Sequence, residues 1–254
     1  MDLFENERID DLQLNGLRLI QNKKAFCFGV DAVLLSDFAD VRNGDRVLDL
    51  GTGTGIIPVL LAGKTQAKMI TGLEIQPDMA EMAKRSIILN NLQSRVNIIC
   101  GDIKNSVEIF GPSSMDVIVT NPPYMASGGG LLNPSDTKAV SRHEILCTLS
   151  DVIDKSSRLL VPGGNFFMIH RPHRLADIIC LMRMYKLEPK LIRFVHPSIY
   201  KKPNLLLIKG TRGGGNELKV LDPLYVYEEN GRYSDEINRI YGRDVQKGED
   251  AGGY

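Results

Sequence analysis

No Cys-x-x-Cys pair occurs in this chain, and its four cysteines, Cys27, Cys100, Cys147 and Cys180, stand far apart. That spacing excludes a zinc ribbon and a dithiol redox motif. The cysteines read as reduced residues of a cytoplasmic protein, and the apolar runs around Cys100 and Cys180 predict that both are buried. No stretch approaches the roughly 18 consecutive apolar residues of a membrane span. The segment Met1 to Asp11 is acidic and has no apolar core, so no signal peptide is expected. Net charge is absent too. The chain carries 31 basic and 31 acidic residues, so no global field draws it onto nucleic acid. The full P-loop pattern Gly-x-x-x-x-Gly-Lys-[Ser/Thr] is also missing, since Pro58 stands where it would need the first glycine ahead of Gly63-Lys64-Thr65, which argues against a P-loop nucleotide hydrolase. There is no internal repeat.

What is present is an ordinary globular composition, 43% hydrophobic and 24% charged over 254 residues, ample for one large core with an extension. The neutral total hides an asymmetry. Met1–Leu60 has 6 basic and 10 acidic residues, whereas Lys138–Lys202 has 12 basic and 5 acidic and holds all four histidines. Such a basic stretch suits a local anionic ligand, and equally suits solvated helix faces.

Short apolar runs alternate with helical patterns. Arg46–Leu50, Met69–Leu73, Val96–Cys100, Met115–Thr120 and, after a Pro162-Gly163-Gly164 turn, Asn165–Ile169 read as strands. Asp31–Phe38, Ile56–Leu61, Asp78–Asn90, Ile103–Phe110, Glu144–Leu160 and His173–Tyr185 read as helices, with Asp78 as the cap of its helix. Leu191–His196 and Leu205–Lys209 are joined by a loop too short for anything but antiparallel pairing. The predicted fold is therefore α/β: a Rossmann-like, doubly wound, seven-stranded, mostly parallel sheet with an antiparallel edge hairpin. Residues 1–45 are expected to cap the core, 46–210 to form it and 211–254 to extend it. Within the extension, Tyr225–Tyr241 reads as a poorly specified surface segment with one helix, Asp235–Tyr241.

The first strand runs into Asp49-Leu50-Gly51-Thr52-Gly53-Thr54-Gly55, a glycine-rich turn that lets the backbone approach a ligand. Alone it is a weak signal, because dinucleotide and S-adenosylmethionine enzymes share it. Glu74 ends the second strand, where an acid can bind a ribose diol. Asp102 follows the third, where a carboxylate can accept from an adenine amino group. Each acid alone is as well explained as a turn or cap residue. Successive strand ends of a doubly wound sheet, however, face one crevice, and the joint placement points to an adenosyl ligand. After the fourth strand comes Asn121-Pro122-Pro123-Tyr124. Two prolines cannot continue a ladder. The turn sets an amide, a carbonyl and an aromatic ring side by side, two acceptors and a stacking surface for a planar amino compound.

These segments together resemble the class I S-adenosylmethionine-dependent methyltransferases over about residues 28–210. Asn-Pro-Pro-Tyr is similar to the motif of those that methylate planar amino nitrogens of bases or glutamine. Phe26-Cys27-Phe28-Gly29-Val30-Asp31 and the stretch from Val226 to Gly242 resemble the bacterial tRNA1(Val) adenine-37 N6-methyltransferase group. The resemblance implies an enzyme that uses S-adenosylmethionine as cofactor and RNA, foremost tRNA, as partner. No membrane partner and no metal are implied, and the expected state is a monomer or weak homodimer. It implies catalytic roles for Asn121, Pro122, Pro123 and Tyr124. Cofactor contacts fall to Asp31, Asp49, Gly51, Gly53, Gly55, Glu74, Ile75, Asp102, Ile103 and Asn121, and substrate contacts to Tyr124, Lys138, Arg142, His143, Lys201 and Lys202. Gly128-Gly129-Gly130 offers a reshaping loop or a plain turn. Other readings are a ribosomal RNA methyltransferase, a protein glutamine methyltransferase and a non-catalytic cofactor-binding protein. The glutamine enzymes carry a helical domain ahead of the sheet, and only about 45 residues precede the first strand here. Retention of Asn-Pro-Pro-Tyr disfavours the non-catalytic one.

Overall fold

Arg46–Leu50 places Val47, Leu48 and Leu50 in the interior and becomes an inner strand of the sheet, third from one edge. The computed structural model describes residues 3–23, 29–122 and 147–243. Strands β1 (Glu7–Asp11) and β2 (Arg18–Asn22) lead to helix α1 (Val30–Phe38) and then to β3 (Arg46–Leu50). Next come α2 (Ile56–Lys64), β4 (Met69–Glu74), α3 (Pro77–Leu89), β5 (Val96–Cys100), α4 (Ser106–Phe110) and β6 (Met115–Thr120). After them follow α5 (Leu149–Leu159), β7 (Leu160–His170), α6 (Leu175–Met184), β8 (Leu187–His196) and β9 (Leu205–Arg212). The short strands β10 (Lys219–Val220) and β11 (Leu224–Tyr225) and helix α7 (Asp235–Ile240) complete the order.

The main sheet runs β10-β8-β9-β7-β6-β3-β4-β5, with β11 also against β8. β3 pairs in parallel with β4 on one side and β6 on the other, so the winding reverses at β3. That reversal opens a crevice outside the carboxyl ends of the strands. The predicted seven strands and the antiparallel β8–β9 hairpin are present, but β10 and β11 add parallel to β8, so the hairpin is not outermost. Period-two alternation sends Val47, Val117, Val119 and Phe167 into a core with α1, α2 and α3. Leu48, Leu50, Ile118 and Phe166 face the other core, under α5 and α6.

Several sequence expectations need correction. The hairpin β1–β2 lies within the predicted cap and carries no strand signal of its own. It is held along α3, where Ile20 N donates to Ser86 Oγ at 3.0 Å and Arg85 forks onto Glu7 at 2.7 and 2.5 Å. Pro162-Gly163-Gly164 is a bulge inside β7, between the pairs Met115↔Leu160 and Val117↔Asn165. α3 starts at Pro77 with Gln76 as cap, and Asp78 lies in its first turn. α5 starts at Leu149, because Thr148 and Asp151 form a reciprocal capping box there. Cys100 and Cys180 are exposed; the first ends an outer strand, and the second sits between Ile178 and Met182, which take the buried side of α6. The segment read as poorly specified surface is packed: Leu224, Val226, Ile237 and Ile240 are buried, and Arg193 pairs with Glu236 at 2.7 Å. Among the described residues no helix is long and apolar enough to cross a membrane, and no group of three or more His, Cys, Asp or Glu could hold a metal.

Candidate active site

The turn after β3 is shaped by glycine. Gly51, Gly53 and Gly55 have φ of +77°, +56° and +84°, a region that residues with a Cβ avoid. A Cβ on Gly55 would stand 3.1 Å from that of Ala83, so the start of α2 reaches α3 only because it has none. At Gly51 an added Cβ would meet nothing within 4 Å. There the backbone is left open on the crevice side of β3, and the positive φ is the reason for glycine.

Glu74, at the end of β4, braces this turn. Its Oε2 accepts from Gly53 N at 2.9 Å, and its Oε1 accepts from Gln76 N at 2.9 Å and Gln76 Nε2 at 3.3 Å. Asp102 follows β5, and Gly101 N donates to Glu74 O at 2.8 Å, so the two acids are on neighbouring strand ends. Asp102 Oδ1 also accepts from Lys104 N at 2.8 Å and caps the short turn Ile103–Asn105. The cap and crevice readings of Asp102 are therefore compatible. Ile75 and Ile103 directly follow the two strand ends and are half-buried.

Asp49 lies on β3, two residues before the turn, and is fully buried. Neither of its oxygens makes a hydrogen bond, nor does Thr52 Oγ1. Burial pushes its carboxyl up to about 7; the nearby Thr52 hydroxyl, short of a well-formed hydrogen bond, opposes the rise, and the charge of Glu74 adds to it. Thr52 is tucked over β4 at Gly72, where a Cβ would stand 2.7 Å from its Oγ1. Glycine spacing points to neither Thr52 nor Gln76; both emerge from the packing.

Asn121 leaves β6 beside this turn. β3 and β6 pair through Leu50↔Thr120, and Thr120 Oγ1 donates to Leu50 O at 2.9 Å. Gly51 and Asn121 are thus the next residues out on adjacent strands. At the other end of the pair, Asp116 Oδ2 accepts from Arg46 N at 2.8 Å and from Arg46 Nε at 3.0 Å. Across β5, β4, β3 and β6, Asp102, Glu74, Gly51 and Asn121 span three strand spacings, about 14 Å. Asn121 and Pro122 are half-buried. Pro123, Tyr124, Lys138, Arg142 and His143 lie outside the described residues, as do Gly128–Gly130 and Phe26–Phe28. Asp31 is in the first turn of α1. Lys201 and Lys202 are exposed in the β8–β9 loop, beyond the central constellation.

The next strand along adds a neutral group. His170, at the end of β7, is buried and its Nδ1 accepts from Arg171 N at 2.8 Å. Burial, reinforced by Arg174, pushes it down to about 4. These groups can hold an adenosyl ligand by backbone approach and paired acceptors, next to an amide and a carbonyl able to receive a planar amino group.

Comparison with known proteins gives the family and the fold. Residues 26–184 match the methyltransferase small domain family. A tRNA1(Val) (adenine(37)-N6)-methyltransferase of Porphyromonas gingivalis strain W83 is 30% identical, over 84% of this chain and 86% of its own. Its counterpart in strain ATCC 33277 is 29% identical, over 94% and 93%. The crystal structure of a predicted O-methyltransferase from Agrobacterium tumefaciens superposes with a TM-score of 0.69 over 84% of this chain and 95% of that one. At its 22% identity the likeness is one of fold.

Proposed function

The chain belongs to the methyltransferase small domain family, and we propose that it transfers the methyl group of S-adenosylmethionine to N6 of an adenine in tRNA. Its similarity to tRNA1(Val) (adenine(37)-N6)-methyltransferases over most of both lengths supports that substrate. Bound in the crevice, S-adenosylmethionine supplies an electrophilic sulfonium methyl group. Features that support the fit are an open backbone at Gly51, a buried carboxyl at Asp49 without a well-formed hydrogen bond, and acids at two successive strand ends. In this reading Gly51, Gly53 and Gly55 allow close approach, Glu74 takes the ribose diol and Asp102 the adenine amino group. Asp31, Asp49, Ile75 and Ile103 complete the cofactor shell.

An exocyclic amino group is a poor nucleophile because its lone pair is delocalised into the ring. Asn121 Oδ1 and the Pro122 carbonyl accept its two N–H bonds, draw the nitrogen toward tetrahedral geometry and free the lone pair. They also stabilise positive charge as it develops on nitrogen; as the N–C bond forms the methyl's bond to sulfur would break, a neutral thioether would leave, and the nitrogen would shed one proton to solvent. Tyr124 stacks on the base. Orientation supplies most of the rate, and no activated side-chain nucleophile is needed. The target base leaves its stack to enter the crevice. Every group invoked comes from one chain, so a monomer suffices, and a tRNA substrate sets its work in the cytoplasm.

The observation that carries this reading is the register Leu50↔Thr120 with its Thr120–Leu50 hydrogen bond, which aligns the donor turn and Asn121 on neighbouring strands. The test is nucleoside mass spectrometry of tRNA treated with wild type and with Asn121→Ala. N6-methyladenosine should accumulate in one tRNA with wild type. The variant should lose turnover by about a hundredfold or more, with cofactor affinity within a few fold. No change in tRNA methyladenosine sinks the substrate, and normal turnover by the variant sinks the role of Asn121.

A further inference from the structure

The β8–β9 loop stands at the same end of the sheet as Asn121. β9 is antiparallel to both β7 and β8, so β8 ends where β7 and β6 end. Three strand spacings separate β6 from β8, about 14 Å. Ile199 is 59% exposed there and Tyr200 78%, and Tyr227 beside them is 42% exposed. This apolar surface is built rather than frayed. Tyr200 Oη donates to Glu229 Oε1 at 2.6 Å, Tyr227 N donates to Pro197 O at 2.8 Å, and Tyr227 stacks on Tyr233 at 5.2 Å. From within, His196 Nδ1 bonds Lys201 O at 2.8 Å, and Arg171 Nη1 at the end of β7 donates to Asn204 O at 3.1 Å.

Cations surround it. Lys201 and Lys202 are exposed on the loop, and Arg171 and Arg174 directly follow the end of β7. Acids share this rim: Asp177 takes up Arg174 at 2.9 Å, while Glu229 accepts from Tyr200 and Glu228 from Asn230 at 3.2 Å, so Lys201, Lys202 and Arg171 are the cations presented at the loop. Exposed rings set among cations suit a single-stranded nucleic acid, whose bases stack while its phosphates meet charge.

We propose that Tyr200, with Ile199 and Tyr227 beside it, is a stacking platform for an unpaired base flanking the methylated adenosine, and that the phosphates between them cross the Arg171–Lys202 rim. The proposal rests on the tRNA reading and adds where the strand runs after leaving the crevice. A base held there fixes the polynucleotide a few nucleotides from the reacting one, which selects an open loop over a duplex.

The experiment titrates the full-length protein with a synthetic tRNA anticodon stem–loop and with the same stem closed into a continuous duplex, at several salt concentrations. Tyr200→Ala should weaken stem–loop binding about tenfold and leave duplex binding, S-adenosylmethionine affinity and the salt slope unchanged. Tyr200→Phe, which keeps the ring and loses the bond to Glu229, should recover most of the loss. Lys201→Ala with Lys202→Ala should flatten the log–log salt slope by about 1.4. If Tyr200→Ala binds the stem–loop like wild type, or Tyr200→Phe fails as badly as Tyr200→Ala, the platform is overturned. If wild type methylates tRNA while Tyr200→Ala is unaffected, the platform alone falls. If wild type methylates no tRNA, the substrate reading falls and takes the platform with it.

Discussion

Asp49 is the residue whose chemistry departs furthest from its surroundings. A carboxyl pushed up to about 7 by burial is neutral in the folded chain where it is ionised in the unfolded one. Between its ordinary range near 4 and 7 the unfolded state therefore binds fewer protons, and stability falls as pH rises. Below that window the residue costs nothing, and above it the full penalty stays. Asp49→Asn should remove this dependence. By urea denaturation without cofactor the variant should match wild type near pH 4 and exceed it by a few kcal/mol, on the order of 3, above pH 7. Its cofactor affinity should drop by contrast above pH 7, where the proposed shell loses an ionised side chain. A wild type no less stable than the variant at pH 8 would show that Asp49 is not penalised.

At the scale of elements, the Glu7–Arg85 fork fastens the N-terminal hairpin to α3. The Arg85 guanidinium holds the Glu7 carboxyl below its usual range, so its stabilisation is present at neutral pH and fades as pH falls through the acid range. Glu7→Ala leaves the buried Arg85 uncompensated and should cost roughly 3 kcal/mol at pH 7 in the same assay. The double change Glu7→Leu with Arg85→Met should cost less than the single one. The sequence reveals such elements unevenly. β3, β5 and β6 begin and end where their apolar runs do, because strands covered on both faces need continuous apolar residues. β1 is Glu7-Arg8-Ile9-Asp10-Asp11, and nothing local marks it as a strand. It becomes one by pairing with β2, and the hairpin is fastened by Arg85, 78 residues away. The candidate site divides the same way. Gly51, Glu74, Asp102 and Asn121 are legible because they stand at strand ends. The placement of Thr52 over Gly72 and the burial that alters Asp49 belong to the packed tertiary structure.

For the whole molecule, we regard residues 46–210 as the catalytic core with a cap before it and an extension after it. The extension is more than an appendage. Leu224, Val226, Ile237 and Ile240 join the core on the α1 face, and Lys64 Nζ bonds both Asp37 Oδ1 at 3.2 Å and Ile240 O at 3.1 Å. Ending the chain after Gly213 should therefore cost several kcal/mol, on the order of 4 once the entropy of ordering the segment is set against its burial. Thermal unfolding checks this, and an unchanged midpoint would mean that the core is complete without it. Within that core, β3 and β6 are fastened twice, by Arg46–Asp116 at one end and Thr120–Leu50 at the other. Two strands clamped at both ends form a single beam, and in the proposed mechanism that beam carries both reaction partners. Its consequence is separability: the β8–β9 loop touches neither fastening, so changes there would alter the proposed polynucleotide contacts and leave the two strand ends in register.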